Sequence, residues 1–237
     1  MLRSRAHPAP EASTHPARSS VSDSAGRGRT GRVGLAVAAL VAIVVVGLVA
    51  YSFGRLSALD TARPTDTSAE AGFARDMQVH HNQGVELAIM IRELTADPDV
   101  RRLSYDIETT QAQQSGQLYG WLVLWGLPQA AREPSMTWMT RSAASGAQHD
   151  HALAAGSPMP GLATPQQIAA LSRETGVQAE RTFLTLMIAH HTGAIEMAEA
   201  ALDRATNPTV LTFARGVIAS QGPEIELMKR MLAERAG

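Results

Sequence analysis

Two pairs of adjacent histidines are the residues of this 237-residue chain best suited to chemistry. Each pair closes the same pattern, F-x3-M-x2-H-H, which begins at Phe73 and again at Phe183. The candidate donors in the two copies are Met77, His80, His81, Met187, His190 and His191. Imidazole suits zinc, copper, iron and nickel, whereas a thioether shifts the preference toward Cu(I). The doubled pattern therefore predicts a metal site, and copper is the metal that these donors favour.

Helical periodicity places each histidine pair on the side of a helix that packs into a core. At about 100° per residue, His190 and His191 fall on either side of Met187. The same side carries Phe183 and Ala194, and the first copy repeats this arrangement. Two alternatives stay open, because an inward histidine is often a hydrogen-bonded core residue and a methionine at helical spacing is often core packing. The repetition of the pair favours the metal interpretation.

A second helix in each copy brings polar side chains onto an otherwise apolar face. In the second copy these are Gln221 and Glu224, followed by Met228. Burying a carboxylate or an amide is costly unless it is paired, and coordinating a cation is one way to pair it. Alternatively, Glu224 pairs with an imidazolium. The first copy has Gln114 and Leu118 where the second has Glu224 and Met228, so we expect the second copy to bind metal more tightly.

Other kinds of site are less favoured by the sequence. A di-iron carboxylate centre requires Glu-x-x-His pairs, whereas this chain has Met-x-x-His, and Glu86 and Glu196 fall opposite the histidines. His149 and His151 lie in an irregular segment, where a solvated loop is the commoner outcome than a metal contact. The absence of cysteine excludes disulfides and thiolate metal sites. No nucleophile and base are paired as in a hydrolase, so we expect no enzymatic activity.

The elements that position these residues form an internal repeat with an offset of 110 residues and no gap. Helical periodicity predicts two hairpins, with helices at 73–95 and 98–125 and again at 177–206 and 208–235. A short helix is expected to start at Thr164, where Thr-Pro-Gln-Gln forms a capping box. No segment alternates with period two, so the domain at 71–237 is predicted to be an all-α, ferritin-like four-helix bundle.

The N-terminal third of the chain has a different character. Residues 1–32 are rich in Ser, Pro, Gly and Arg and are predicted to be disordered, and 54–70 reads as a polar linker. Residues 33–53 are almost entirely apolar and long enough for a transmembrane helix. The arginine excess before this span predicts a cytoplasmic N-terminus and a bundle outside the cell membrane. A cleaved signal peptide or a buried core helix are the alternatives to a single-pass anchor.

At these residues the sequence resembles a bacterial family, domain of unknown function 305. The family pattern is F-x3-M-x2-H-H-x2-A, followed one helix later by Q-x2-E-I-x2-M, and the resemblance extends over about residues 70–235. The second copy fits throughout. The first departs at four positions, which are Gly84, Gln114, Ser115 and Leu118. The resemblance implies a ferritin-like helical fold and, from some members, extracytoplasmic copper binding.

The function that these observations favour is copper binding for buffering, delivery or resistance. The alternatives are an anchored scaffold or interaction module with structural histidines and, less favoured, a di-iron redox enzyme. The expected partners are a metal ion and, through residues 33–53, the membrane. A homo-oligomer is compatible with the sequence, whereas the formal net charge of −1 gives no reason to expect nucleic-acid binding.

Overall fold

The computed structural model describes residues 27–59, 63–142 and 157–235 of the chain. The chain divides into two compact units, Met1–Asp60 and Thr61–Gly237, and each is described by itself. Six α-helices and one short 3₁₀ helix occupy the described residues, in which no strand is present. The all-α prediction is therefore confirmed for this part of the chain. His149 and His151 lie outside the described residues.

The first unit contains one helix, α1 (Arg27–Leu59). It begins inside the predicted tail and ends inside the predicted linker, because no proline interrupts the chain between residue 27 and Pro64. Its described side chains are mostly apolar and exposed, with Leu35 at 76% and Ile43 at 68%. Within the part of the chain that the structure describes, no helix is both long enough and apolar enough to cross a membrane. The predicted membrane span is thus not confirmed.

Four long helices make up the second unit, together with two short ones. They form two hairpins: α2 (Ala69–Leu94) packs on α3 (Pro98–Trp125), and α5 (Gly176–Arg204) packs on α6 (Pro208–Glu234). The hairpins meet mainly through α2 and α5. The connection between them contains the 3₁₀ helix (Thr137–Thr140) and α4 (Pro165–Leu171).

The helix ends follow local sequence signals, which is why their predicted bounds are nearly correct. In the two hairpin turns, Asp97 and Asn207 occupy equivalent positions of the repeat and accept hydrogen bonds from the first backbone amides of α3 and α6. Each is followed by a proline at the first helical position. The capping box between Thr164 and Gln167 is present as predicted. Gly126 ends α3 in the left-handed conformation, with φ of 71°.

The core of the second unit consists of two apolar clusters, one on each side of the four histidines. The first contains Phe73 and Met77 of α2 together with Met197 of α5. The second contains Leu87 of α2 together with Met187 of α5. The start of α2 therefore shares a cluster with the end of α5, so the two helices are antiparallel. Their histidines lie at the middle of this crossing.

A buried carboxylate ties each hairpin to the turn of the other. Glu70, at the start of α2, accepts hydrogen bonds from the backbone amides of Thr206 and Asn207 at 2.7 and 3.2 Å. Glu180, its equivalent at the start of α5, accepts from Thr95 Oγ1 at 2.5 Å and from Arg235 Nε at 2.6 Å. Burial raises the pKa of Glu70, but the Thr206, Glu70 and Asn207 amides outweigh it and leave this pKa below its ordinary value.

We expect Glu180→Ala to lower the free energy of unfolding by about 3 kcal/mol, because it removes a buried carboxylate from Arg235 and from the turn at Thr95. The measurement is urea denaturation of the purified protein. The matched control is Glu226→Ala, which removes an exposed pair with Lys229 and should leave the denaturation midpoint unchanged. Similar midpoints for the two variants would contradict the structural importance of the buried pair.

Candidate metal centre

All four histidines of the repeat are fully buried at the crossing of α2 and α5. The rings of His80 and His190 lie face to face across the crossing, with centroids 3.9 Å apart and an interplanar angle of 35°. His81 and His191 flank this central pair, at 6.4 Å from His80 and 6.1 Å from His190 respectively. The structure thus brings both predicted histidine pairs into one layer, which we call the histidine layer.

Three of the imidazoles contact an atom that can only accept a hydrogen bond. His80 Nε2 lies 2.9 Å from the carbonyl oxygen of Pro160, and His190 Nε2 lies 2.8 Å from the carbonyl oxygen of His80. His191 Nε2 lies 2.7 Å from Oε2 of Glu224. Each Nε2 must therefore donate its proton, and in the neutral ring Nδ1 then carries the lone pair. Acceptors of this kind orient the imidazoles of metal sites.

Burial keeps at least three of the rings neutral near pH 7. Removal from water lowers the pKa of His80 to about 4, which the Pro160 carbonyl partly opposes and His191 reinforces. Removal from water also lowers the pKa of His81 to about 3, with His80 lowering it further and the Gln114 amide raising it. Removal from water also lowers the pKa of His190 well below its usual value, and His80 lowers it further.

The histidine layer contains an unusual concentration of buried polar atoms without a hydrogen-bond partner among the described residues. Native proteins leave few such atoms. Nine belong to the layer, and they are His80 Nδ1, His81 Nδ1 and Nε2, His190 Nδ1, His191 Nδ1, Gln111 Nε2 and Oε1, Gln114 Oε1 and Gln221 Oε1. With His80, His81 and His190 neutral, and His191 left aside, six of the other eight atoms offer a lone pair and two offer a hydrogen. The layer is therefore rich in electron-pair donors.

Glycine at position 84 lets two side chains of this layer approach α2 closely. A Cβ atom there would lie 2.1 Å from Oε1 of Gln111 and 2.8 Å from Cε1 of His190. The small size of Gly84 suggests open room beside the histidines, but the structure has no such room. Instead, the amide of Gln111 fills that space and joins the layer.

The remaining predicted site residues divide into two groups. Gln221 is buried and belongs to the layer, and Glu224 is 26% exposed and serves as the acceptor for His191. Met77, Met187 and Met228 are fully buried in the apolar clusters, where they pack as core residues do. Their predicted role as thioether ligands stays a prediction.

Sequence reasoning missed the segment that covers the central pair of rings. Pro160 belongs to this segment, and a Cβ at Gly193 would lie 2.0 Å from its carbonyl oxygen. Gln83 binds the same segment through the backbone of Ala163. One signal was available: positions 83 and 193 are equivalent in the repeat, yet one is glutamine and the other glycine. A glycine on the buried face of a repeated helix indicates a close backbone approach.

The donor chemistry of the layer fits a metal ion, but a complete ligand set is not assembled. Among the described residues, no group of three or more His, Asp or Glu side chains is arranged to hold a metal ion. The fit rests instead on neutral buried imidazoles whose Nδ1 lone pairs have no partner. Zinc, copper, iron and nickel all accept such nitrogens. Binding of an ion by more than two of these groups requires the rings to move.

Comparison with solved structures identifies relatives of the second unit. A DUF305 protein from Streptomyces coelicolor is 44% identical, with a TM-score of 0.65 over 73% of this chain and 97% of that chain. A DUF305 fragment from Deinococcus radiodurans is 33% identical, with a TM-score of 0.56 over 70% and 96%. CopM in its Cu(I)-bound form is 22% identical, with a TM-score of 0.53 over 73% and 99%, and this likeness concerns the fold alone.

A comparison with curated proteins gives no match. The model of the family described as domain of unknown function (DUF305) matches residues 70–232, which contain both hairpins and all four histidines. The resemblance noted from the doubled histidine pattern is thereby confirmed. This chain belongs to the DUF305 family.

Proposed function

We propose that this chain is a membrane-anchored, extracytoplasmic copper-binding protein that serves copper buffering, delivery or resistance. The observation that carries the proposal is the excess of lone pairs in the histidine layer, where, apart from His191, six buried atoms offer a lone pair and two offer a hydrogen. A cation satisfies lone pairs directly, whereas a further protein group would satisfy only one or two of them.

Energetic reasoning supports an occupant for the layer. A buried polar atom without a partner costs about 1–3 kcal/mol. Nine such atoms would together cost about as much as the whole stability of a typical domain, which is about 5–15 kcal/mol. The layer therefore requires either an ion or ordered water. Burial makes the imidazoles good ligands, because a neutral ring binds a cation without first losing a proton.

Copper is the ion that the chemistry of this chain supports best. Imidazole alone does not separate copper from zinc or nickel, and the chain has no cysteine to complete a thiolate zinc site. Methionine is present in both apolar clusters beside the layer, and a thioether is a soft ligand that prefers Cu(I). CopM, which shares the fold, has been solved in Cu(I)-bound and Cu(II)-bound forms.

A second candidate is an anchored scaffold whose histidine layer holds only water. The absence of three converging His, Asp or Glu side chains among the described residues favours this alternative. Water donates hydrogen bonds to lone pairs and accepts them from N–H groups, so it also satisfies the layer. The two candidates differ in whether copper binds at all, and they are separated by direct titration.

The membrane anchor and its orientation belong to the proposal as well. Residues 33–53 provide an uncharged apolar stretch of sufficient length, and the apolar side chains described in α1 are exposed. Such side chains gain stability when lipid covers them. The arginines before this stretch favour a cytoplasmic N-terminus.

Copper titration tests the function and ranks the two copies of the repeat. We expect metal-stripped protein to take up copper, and Glu224→Ala to lower its copper affinity by about 10–100-fold because the acceptor that orients His191 is lost. Gln114→Ala, at the equivalent position, should lower the affinity less, because an amide is a neutral and weaker partner than a carboxylate. For the same reason, replacing His190 and His191 with alanine should cost more than replacing His80 and His81. The measurement is competition with a chelator, for both copper oxidation states.

Absence of copper binding by the wild-type protein would support the scaffold alternative instead. Equal losses from Glu224→Ala and Gln114→Ala would contradict the ranking and indicate two equivalent halves. Zinc, titrated in the same way, serves as the control for metal preference.

Protease accessibility tests the orientation. The full chain, tagged at both ends, is produced in bacteria whose wall is then removed. External protease should remove the C-terminal tag and digest the bundle while the N-terminal tag stays protected, because the arginine excess retains residues 1–32 inside. Loss of the N-terminal tag alone would reverse the orientation.

Neutral buried imidazoles also make the metal-free protein sensitive to acid. In the unfolded chain, histidines take up protons below about pH 6.5, whereas the pKa values of folded His80 and His81 are about 4 and about 3. Between these limits the unfolded state binds more protons, so stability falls as pH falls. At pH 5 the loss is about 2 kcal/mol for each of these histidines. Urea denaturation at pH 7 and pH 5 measures this loss of stability. In His81→Gln, the slope of the unfolding free energy against pH should correspond to one proton fewer.

A further inference from the structure

The segment 157–163, which we call the strap, lies directly on the histidine layer. Two hydrogen bonds join it to Gln83: Nε2 of Gln83 donates to the carbonyl oxygen of Ala163 at 2.9 Å, and the amide of Ala163 donates to Oε1 of Gln83 at 2.7 Å. A side-chain amide that pairs with both backbone groups of one residue holds that residue in position as well as in orientation.

On its other side the strap lies against the backbone of α5. A Cβ at Gly193 would lie 2.0 Å from the carbonyl oxygen of Pro160, and a Cβ at Gly161 would lie 2.1 Å from the carbonyl oxygen of Ala189. Gly161 also has φ of +73°, which disfavours other residues. Glycine is therefore needed on both faces of this contact. The strap fits between α2 and α5 with no space for a methyl group.

The strap uses the two copies of the repeat differently. Positions 83 and 193 are equivalent, but one holds the strap with an amide and the other admits it with a glycine. As a result, the Pro160 carbonyl reaches His80 and not His190, whose Nε2 donates to the carbonyl oxygen of His80 instead. A single strap therefore cannot make the same contact with both copies of the repeat.

We propose that Gln83 is a positioning residue, which holds the Pro160 carbonyl where it fixes the proton of His80 on Nε2 and leaves Nδ1 as the metal-binding nitrogen. The first part concerns the metal-free protein alone. The second part, that Nδ1 binds copper, rests on the proposed function. His80 Nδ1 has no hydrogen-bond partner among the described residues and therefore stays available.

Nitrogen–proton correlation spectra of the metal-stripped full chain test the first part. The wild-type protein should show a protected Nε2–H resonance for His80, assigned by its absence from His80→Gln. Gln83→Ala removes the amide, and Gly193→Ala displaces the Pro160 carbonyl, so both should abolish or strongly shift this resonance. Gln113→Ala and Gly216→Ala are matched controls at exposed positions, and a Cβ at Gly216 meets nothing within 4 Å, so both should leave it unchanged.

The same variants are then titrated with copper. We expect Gln83→Ala to lower copper affinity by roughly 10-fold, as loss of an orienting partner does in metal sites, and the controls to match wild type. If Gly193→Ala fails to fold, Gln83→Ala alone decides. A wild-type proton on Nδ1, or a resonance that survives in Gln83→Ala, overturns the inference. Absence of copper binding by the wild type overturns the proposed function, and the spectra still decide the role of Gln83.

Discussion

Desolvation of four imidazoles at the crossing of α2 and α5 is the constraint on which the rest of the structure depends. The two apolar clusters exclude water from both sides of the layer, and the lowered pKa values of His80 and His81 follow from that exclusion. A neutral imidazole in such a place needs an acceptor for its one N–H. The chain supplies three acceptors from three different sources, namely the strap, the neighbouring helix and the carboxylate of Glu224.

The two hairpins make equivalent contacts at their ends and unequal contacts at their histidines. Glu70 and Glu180 make the equivalent contacts, because each ties its hairpin to the turn of the other. Two of the differences between the copies lie beside the rings: position 83 is glutamine where 193 is glycine, and position 114 is glutamine where 224 is glutamate. His191 therefore has an acidic acceptor, whereas the corresponding neighbour of His81 is the neutral amide of Gln114. Two similar hairpins thus produce unequal halves.

The parts of this structure that the sequence predicts are those decided by neighbours along the chain. Helical periodicity, the turns at Asp97 and Asn207, and the capping box at Thr164 all act within a few residues. The strap acts across 80 residues of sequence, from Pro160 to His80, and an irregular segment has no periodicity to reveal its contacts. Helix α1 extends beyond the apolar stretch 33–53 at both ends, because the change in composition at residues 32 and 54 does not itself break a helix. Glu70 and Glu180 were overlooked although the same offset of 110 relates them.

Sequence spacing identifies the candidate donors, but it does not distinguish residues that could bind a metal from residues that orient those donors. Glu224 is predicted as a ligand, and this stays a prediction; in the structure its oxygen accepts the N–H of His191. In metal sites, a carboxylate in this position raises the basicity of the imidazole and fixes its orientation, so it acts on a bound ion without touching it. Met77 and Met228 lie in separate apolar clusters, so they cannot both adjoin one ion without rearrangement of the core. Because packed cores resist such rearrangement, the nitrogen atoms and amide oxygens of the layer, rather than the thioethers, are the donors that an ion would reach first.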